Sequence, residues 1–248
     1  MRRFLVLPSL IYLLIFFYVP FFMVLLYSIG FPDVTFRYYL EILDSLYLKV
    51  FVNSLILAAM TTALCLLLAY PVAYFIALKA GKWKNLLLIL VILPFWISFL
   101  LRTYAIMTLL NPLGLMFTFT AVVIGMVYDY LPFMILPIYA SLERLGRSHI
   151  EASYVLGAKP ADTFLRVTLP LSKPGIVAGI ILVFTPALGE FVVPAMLGGT
   201  YATIGTITWD LFLRYHNWWK GSALSVIYIA IVLIAIGIYI KRAGKIEI

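Results

Sequence analysis

The chain has 248 residues, of which 65% are hydrophobic and 11% charged, and its mean hydropathy is +1.11. A soluble domain is about a quarter charged, so this composition excludes a single water-soluble globule and indicates an integral membrane protein. The formal net charge of +8 could suggest a nucleic-acid partner, but the basic residues are concentrated in a few loops, as in membrane proteins. The single cysteine, Cys65, excludes a disulfide within the chain.

Apolar segments long enough to cross a bilayer recur along the chain, since a spanning helix needs about 20 apolar residues. The sequence predicts six spans, at about residues 4–29, 50–78, 86–101, 115–140, 176–197 and 222–240. Residues 103–110 either continue the third span obliquely or lie at the surface, and residues 111–114 form a turn. The first apolar run is too long for a signal peptide and shows no small-residue cleavage site by Gly30, so we interpret it as an uncleaved helix.

The distribution of basic residues predicts how the chain is oriented. If the N-terminus is cytoplasmic, the inner segments hold Arg2, Arg3, Lys79, Lys82, Lys84, Arg144, Arg147, Lys159, Arg166, Lys173, Lys241, Arg242 and Lys245. The outer segments then hold only Arg37, Lys49, Arg102, Arg214 and Lys220. Because cytoplasmic loops carry an excess of Lys and Arg, both termini are predicted inside. The predicted fold class is an all-α membrane protein with six transmembrane helices.

The longest polar segment in the second half of the chain, residues 141–175, predicts two short cytoplasmic helices separated by a break. Ser148 is placed to cap the first helix, and Glu151 follows at capping-box spacing. Gly157 is expected to end that helix, because glycine adopts the left-handed conformation without steric cost. Pro160 suits the first turn of the second helix, where a missing N–H group is tolerated.

The spacing of these residues resembles the EAA loop in the permease subunits of binding-protein-dependent ABC importers. The matching segments are Glu151-Ala152-Ser153, Gly157 and Val167-x-Leu169-Pro170. Ser153 replaces the second alanine of that pattern, and Val167 replaces an isoleucine. The resemblance implies a cytoplasmic coupling-helix hairpin between helices 4 and 5 that docks on an ATPase subunit. The coupling residues that it implies are Glu151, Ala152, Ser153, Gly157, Leu169 and Pro170. The alternative is a hairpin that only packs on the inner membrane face.

Prolines surround and interrupt the fifth span. Leu169-Pro170 and Lys173-Pro174-Gly175 are expected to stop the second hairpin helix before the chain enters the membrane. Pro186, Gly189 and Pro194 then weaken the span itself. Because backbone groups freed inside a membrane must face protein or water, the outer half of this span is predicted to line a cavity.

Ionisable residues in or at the edge of the spans indicate a candidate substrate pathway, because a charge at the bilayer centre costs at least about 2.5–3.5 kcal/mol. These residues are Arg102, Asp129 and Glu190. Carboxylates pair with ammonium groups, and the faces of tyrosine rings also attract ammonium groups. Acidic residues beside aromatic ones therefore suit an organic cation. The candidate pathway residues are Asp129, Glu190, Tyr128, Tyr130, Arg102, Tyr104 and Phe191. Alternatively, Arg102 pairs with Asp129 or with Glu190 and only holds helices together.

Further segments resemble one branch of the importer family, the spermidine/putrescine permeases of the first type. They are Leu93-Pro94-Phe95-Trp96, Leu101-Arg102-Thr103-Tyr104 and Gly189-Glu190-Phe191-Val192-Val193-Pro194 with Leu197-Gly198-Gly199. The resemblance implies a single permease domain over residues 1–248, located in the cell inner membrane and importing polyamines. Permeases for thiamine, iron or phosphonate compounds share much of the pattern and stay as alternatives.

The same resemblance implies a set of partners. They are two ABC ATPase subunits, a second related permease, membrane lipid and an extracytoplasmic solute-binding protein that docks on residues 31–49 and 198–221. No nucleic acid is expected. ATP and Mg would be bound by the ATPase, because no phosphate-binding G-x-x-x-x-G-K-[ST] loop occurs in this sequence. We therefore expect a translocation subunit without a cofactor of its own, and not an enzyme.

Two other functional classes make demands that the sequence does not meet. A secondary transporter working without an ATPase would need an internal repeat or a dense proton relay. A membrane-embedded enzyme would need His and carboxylates near one interface, and the only histidines are His149 and His216, neither at metal-ligand spacing. Gly175 and Gly179 make a small-xxx-small spacing that is compatible with close helix packing.

Overall fold

The computed structural model describes residue 8, residues 10–146 and residues 148–243. Four residues in the predicted inner segments, Arg2, Arg3, Arg147 and Lys245, lie outside the described residues. The described ranges contain helices and no strand. In chain order the helices are α1 (Leu10–Ser28), α2 (Arg37–Ile42), α3 (Ser45–Lys79), α4 (Gly81–Trp96), α5 (Phe99–Leu110), α6 (Phe119–Leu145), α7 (Ser148–Val155), α8 (Pro160–Gly189), α9 (Val192–Leu197), α10 (residues 204–214) and α11 (Trp218–Ala243).

Four helices, α1, α3, α6 and α8, are long and apolar enough to cross a membrane. Helices α4 and α5 meet at an angle of 97° and would together form a broken span or a re-entrant loop. The apolar part of α11 that can be assessed, Trp218–Ile234, is shorter. The structure therefore accounts for four to five of the six predicted spans, and the sixth span and the cytoplasmic termini stay predictions.

The bend between α4 and α5 explains the oblique continuation expected after the third span. Pro94 lies in the tight 3₁₀ turn Leu93–Trp96 that ends α4. Ile97 and Ser98 then adopt extended ψ angles of 134° and 135°, which break the helical hydrogen-bond pattern. Helix α5 follows in the new direction, so residues 103–110 belong to a separate helix.

Residues 10–52 and 203–243 form one compact unit, in which α1 packs along α11. Its small core consists of Ile42, Leu211, Ala223 and Leu224. Trp219 Nε1 donates a hydrogen bond to the Phe31 carbonyl oxygen at 2.9 Å, and the Trp219 ring stacks on Tyr38. Lys220 Nζ lies 3.0 Å from Glu41 Oε2. Within this unit, the two predicted outer segments therefore pack against each other.

Residues 53–202 form a second compact unit, built around α6. Helix α8 packs closely along α6 at Gly175 and Gly179. A Cβ atom at Gly175 would lie 2.5 Å from the Pro137 carbonyl oxygen, and one at Gly179 would lie 2.6 Å from Met134 Sδ. The small-xxx-small spacing read from the sequence thus marks a real helix contact.

The expectation that prolines at residues 169–175 stop the second hairpin helix is wrong, because α8 continues from Pro160 to Gly189. A π-helical turn, Phe164–Thr168, lies between the hairpin part and the apolar part of α8. The wider turn puts Pro170 in the first turn of the following α-helical segment, where its missing N–H group costs little. The hairpin and the fifth span are therefore one continuous helix.

Candidate coupling hairpin and charged residues within the spans

Helix α7 ends in a Schellman motif at Gly157, as the sequence predicts. Gly157 has φ +82° and donates its N–H to the Tyr154 carbonyl oxygen at 2.9 Å. Ala158 donates to the Ser153 carbonyl oxygen at 3.0 Å, which completes the motif. Ser148 lies at the start of α7, and its capping role stays a prediction. The sharp reversal lets α8 begin at Pro160.

The two hairpin helices are joined by hydroxyl groups. Ser153 Oγ lies 2.8 Å from Thr163 Oγ1, and it donates to the Ile150 carbonyl oxygen at 2.7 Å. Both side chains are buried, although neighbouring positions in α7 are exposed. Ser153, one of the two departures from the family pattern, therefore makes a specific contact that alanine could not make.

The outer face of the hairpin presents apolar side chains to solvent. Val155 and Leu156 are 88% and 87% exposed. Glu151, Ala152 and Tyr154 of α7 are also exposed. Leu169 and Pro170 are half-buried in α8, past the π-helical turn. Among the coupling residues, Glu151, Ala152 and Gly157 are thus exposed, whereas Ser153 is buried against α8.

Aromatic packing connects the hairpin to α3. Phe164 lies between Tyr70 and Tyr74, with ring centroids 5.7 Å and 6.2 Å apart and edge-on geometry in both pairs. The Tyr70 hydroxyl also lies 3.0 Å from Ser172 Oγ on α8. Sequence reasoning missed this contact, because Tyr70 and Ser172 are separated by 102 residues and neither belongs to the motif.

Arg102 and Asp129 form a buried ion pair between α5 and α6. Arg102 Nη1 lies 3.0 Å from Asp129 Oδ1, and the side chains are only 8% and 2% exposed. Despite this short distance, neither Arg102 Nε and Nη1 nor the two Asp129 oxygens make a well-aligned hydrogen bond among the described residues. The pairing left open by the sequence is therefore Arg102 with Asp129.

Glu190 lies at the break between α8 and α9 and accepts three hydrogen bonds. Its Oε2 accepts from the Tyr130 hydroxyl at 2.7 Å. Its Oε1 accepts from the backbone N–H groups of Phe191 at 3.0 Å and Val192 at 2.8 Å. The carboxylate therefore caps the start of α9 and connects it to α6.

The predicted pathway residues make two sets of contacts that lie close together. Arg102 pairs with Asp129, and Glu190 accepts from Tyr130, the neighbour of Asp129 in α6, and from Phe191. The Asp129 and Glu190 carboxylates are near enough to interact electrostatically. Tyr104 and Tyr128 are 57% and 43% exposed. The described part of the chain holds no group of three or more His, Cys, Asp and Glu residues arranged for a metal ion.

Residues 69–243 match the family described as the binding-protein-dependent transport system inner membrane component. The chain belongs to this family. This permease is 40% identical over 206 residues to the spermidine/putrescine transport system permease protein PotB of Escherichia coli K12, covering 76% of this chain and 75% of that protein. The corresponding protein of Haemophilus influenzae is 38% identical over 234 residues, covering 87% and 81%. The molybdenum transport system permease protein ModB of Azotobacter vinelandii is 31% identical over 156 residues, covering 58% and 69%.

Solved structures share the fold of the permease. A bacterial ABC transporter involved in the import of the acidic polysaccharide alginate superposes with a TM-score of 0.77 at 18% identity, covering 100% of this chain and 96% of that one. The alginate transporter in complex with an alginate-pentasaccharide-bound periplasmic protein gives 0.72 at 17% identity, covering 94% and 90%. The permease is therefore a multi-pass inner-membrane translocation subunit of a binding-protein-dependent importer, and not an enzyme.

Proposed function

We propose that the α7–α8 hairpin of this permease is the lever through which ATPase subunits move the membrane helices. The observation that carries the proposal is the exposed apolar pair Val155 and Leu156 on a hairpin that is itself firmly anchored. Apolar side chains scattered singly over a protein surface are common, but Val155 and Leu156 are adjacent and almost fully exposed, as expected at a contact with a protein partner. A second related permease and two ATPases, which hold ATP and Mg, complete the proposed assembly.

Three contacts would carry motion from the hairpin into the membrane helices. The Ser153–Thr163 hydroxyl contact makes α7 follow α8. Phe164 joins α8 to α3, and Gly175 joins α8 to α6. Because packed helices move as rigid bodies, a push on α7 would displace three long helices at once. ATP binding would need to favour one orientation of the pathway by a few kcal/mol to shift its population usefully.

We further propose that the transported solute is a polyamine such as spermidine or putrescine. The proposal is supported by the names of the relatives at 38–40% identity, which cover most of the chain. It is also supported by the exposed rings of Tyr104 on α5 and Tyr128 on α6. Tyrosine faces attract ammonium groups such as those of a polyamine.

An extracytoplasmic solute-binding protein is proposed to deliver the solute to the outer segments, residues 31–49 and 198–221. Within the unit of residues 10–52 and 203–243, Trp219 and Lys220 tie these segments together through Tyr38 and Glu41. A preformed platform loses little conformational entropy on docking, which favours binding.

The lever proposal is tested by a charge on the hairpin. Leu156→Asp should abolish co-purification of the ATPase subunits, because a carboxylate would have to be buried unpaired in the interface. The matched control is Leu113→Asp, which changes a leucine that is 67% exposed in the turn after α5. Loss of the ATPase in both variants, or in neither, would contradict a specific hairpin interface.

The substrate proposal is tested with the importer reconstituted in vesicles with its partners. Labelled spermidine, putrescine, thiamine, ferric iron and molybdate are offered in turn, with and without ATP. We expect ATP-dependent uptake of spermidine or putrescine only. Uptake of another of these solutes in their place would overturn the polyamine assignment and leave the lever untouched.

A further inference from the structure

Glu190 interrupts the helical path of the fifth span. Helix α8 ends at Gly189, and Glu190 adopts an extended conformation with φ −62° and ψ 133° before α9 begins. A break in a transmembrane helix leaves backbone N–H groups without intrahelical partners, and each costs free energy unless something accepts its hydrogen. The Glu190 carboxylate accepts two of them, from Phe191 and Val192.

Helix α9 is pressed against α6 along its whole length. A Cβ atom at Gly125 of α6 would lie 2.8 Å from Val193 Cγ1 and 2.6 Å from Leu197 Cδ1. Both Val193 and Leu197 are fully buried. The Tyr130 hydroxyl, five residues further along α6, reaches Glu190 at the other end of the contact. Packing at Gly125 and the hydrogen bond from Tyr130 therefore both hold α9 against α6.

We infer that Glu190 is a positioning residue that fastens α9 to α6, and that it does not serve transport as a ligand of the solute. Three donors already occupy the carboxylate, two from the backbone and one from Tyr130. Charge-assisted hydrogen bonds of this kind are roughly twice as strong as neutral ones, so a passing ammonium group would have to displace them. The role of Glu190 therefore lies in the three hydrogen bonds that it accepts, and not in pairing with the charge of a solute.

Glutamine distinguishes the two roles, because it keeps the shape and loses the charge. In Glu190→Gln the amide oxygen can accept from the two backbone N–H groups, and the amide nitrogen can donate to the Tyr130 oxygen. In Glu190→Ala all three contacts are lost. In Tyr130→Phe only the contact with α6 is lost, which isolates the fastening from the capping.

Two measurements on the assembled importer test the inference. The first is uptake in vesicles, from which the maximal rate and KM are obtained. For Glu190→Gln we expect both to stay within about threefold of the unsubstituted importer. For Glu190→Ala the maximal rate should fall by about tenfold or more, as expected from the loss of several hydrogen bonds. For Tyr130→Phe we expect a maximal rate between those of the two Glu190 variants and an unchanged KM.

The second measurement is hydrogen exchange of the backbone amides in residues 190–197, which needs no solute. Relative to the unsubstituted importer, exchange should be fastest in Glu190→Ala, moderately faster in Tyr130→Phe, and nearly unchanged in Glu190→Gln. A KM that rises equally in Glu190→Gln and Glu190→Ala, with normal amide exchange in Glu190→Gln, would overturn the inference and make Glu190 a solute ligand. If the polyamine assignment fails, the exchange pattern still decides the role of Glu190.

Discussion

Ser153 and Thr163 hold the coupling hairpin together through a hydroxyl contact of 2.8 Å between Oγ and Oγ1. The two residues lie on different helices, and both are nearly inaccessible to solvent. Because the contact joins α7 to α8, this pair has a direct influence on how firmly the hairpin is held.

Removal of either hydroxyl should loosen the hairpin. Ser153→Ala and Thr163→Val are each expected to lower the free energy of unfolding by about 1 kcal/mol, because one buried hydroxyl loses its partner. The double variant should lose less free energy of unfolding than the two single variants lose together, since neither hydroxyl is then left unpaired. Thermal melting of the two single variants and the double variant in detergent measures these losses as a double-mutant cycle. Additive effects would show that the two hydroxyl groups do not interact.

Substitutions of Gly157 should follow backbone conformation and not side-chain size. No atom lies within 4 Å of an added Cβ at Gly157, and its φ is +82°. Asn, which tolerates the left-handed region, should reduce ATP-dependent uptake least, and Ala should reduce it more, with a strain of about 1–2 kcal/mol. Pro should abolish uptake, because its φ is fixed near −65° and it lacks the N–H that reaches Tyr154.

A normal rate of uptake in Gly157→Pro would disprove the coupling role of the hairpin. Gly114 provides the matched control, because it also has a positive φ, +66°, with no atom within 4 Å of an added Cβ. It lies in the turn after α5, so Gly114→Pro should strain the backbone there without separating the hairpin from the ATPase.

The two glycines in the contact between α6 and α8 should differ in their tolerance of alanine. At Gly175 the obstacle is the Pro137 backbone oxygen at 2.5 Å, which cannot move away without a shift of the helix. At Gly179 the nearest atom is Met134 Sδ, at the flexible end of a side chain. Gly175→Ala should therefore lower stability by about 1–3 kcal/mol, and Gly179→Ala by less. Melting temperatures of the two purified variants give the comparison, and equal values would contradict it.

The buried pair of Arg102 and Asp129 should be more sensitive to single than to double substitution. Asp129→Leu or Arg102→Met alone leaves a buried charge without its partner, which costs about 3–5 kcal/mol. The double variant Arg102→Met/Asp129→Leu should recover most of that stability. If Asp129 also receives the solute, the double variant will fold and still fail to transport polyamines. Full uptake by the folded double variant would assign the pair a purely structural role.

Stability at low pH should depend on Glu41. The pKa of Glu41 is lowered from 4.5 by its hydrogen bond with Lys220 and then by that with Arg37. The ionised form is favoured in the folded state, so its stabilising contribution is present above pH 4.5 and is lost as the pH falls through the folded pKa. Glu41 is partly exposed, so the effect is at most about 1 kcal/mol.

The measurement is the melting temperature as a function of pH for the unsubstituted permease and for Glu41→Gln. Below pH 4.5 the melting temperature of the variant should fall less steeply than that of the unsubstituted permease, because the variant has no carboxylate to protonate at this position. Asp33→Asn is the control, since Asp33 makes no ion pair among the described residues and should leave the decline unchanged. An identical decline in Glu41→Gln would contradict the assignment.

Local chemistry was sufficient to predict the elements of the hairpin. The φ of Gly157 and the start of α8 at Pro160 follow from the conformations open to glycine and proline, which do not depend on distant residues. The same reasoning failed at residues 169–175, because a π-helical turn changed the position of Pro170 within its helix. Such a change in register has no signature in composition or hydropathy.

The sequence by itself determined that this protein lies in a membrane, that it is helical and that it carries the spaced residues of an importer permease. Hydropathy and motif spacing are properties of neighbouring residues, so they can be read along the chain. Only the tertiary structure decided that Arg102 takes Asp129 as its partner and that Glu190 is held by Tyr130. The choice between buried partners depends on distances between helices, and these are set by close packing at positions such as Gly125 and Gly175.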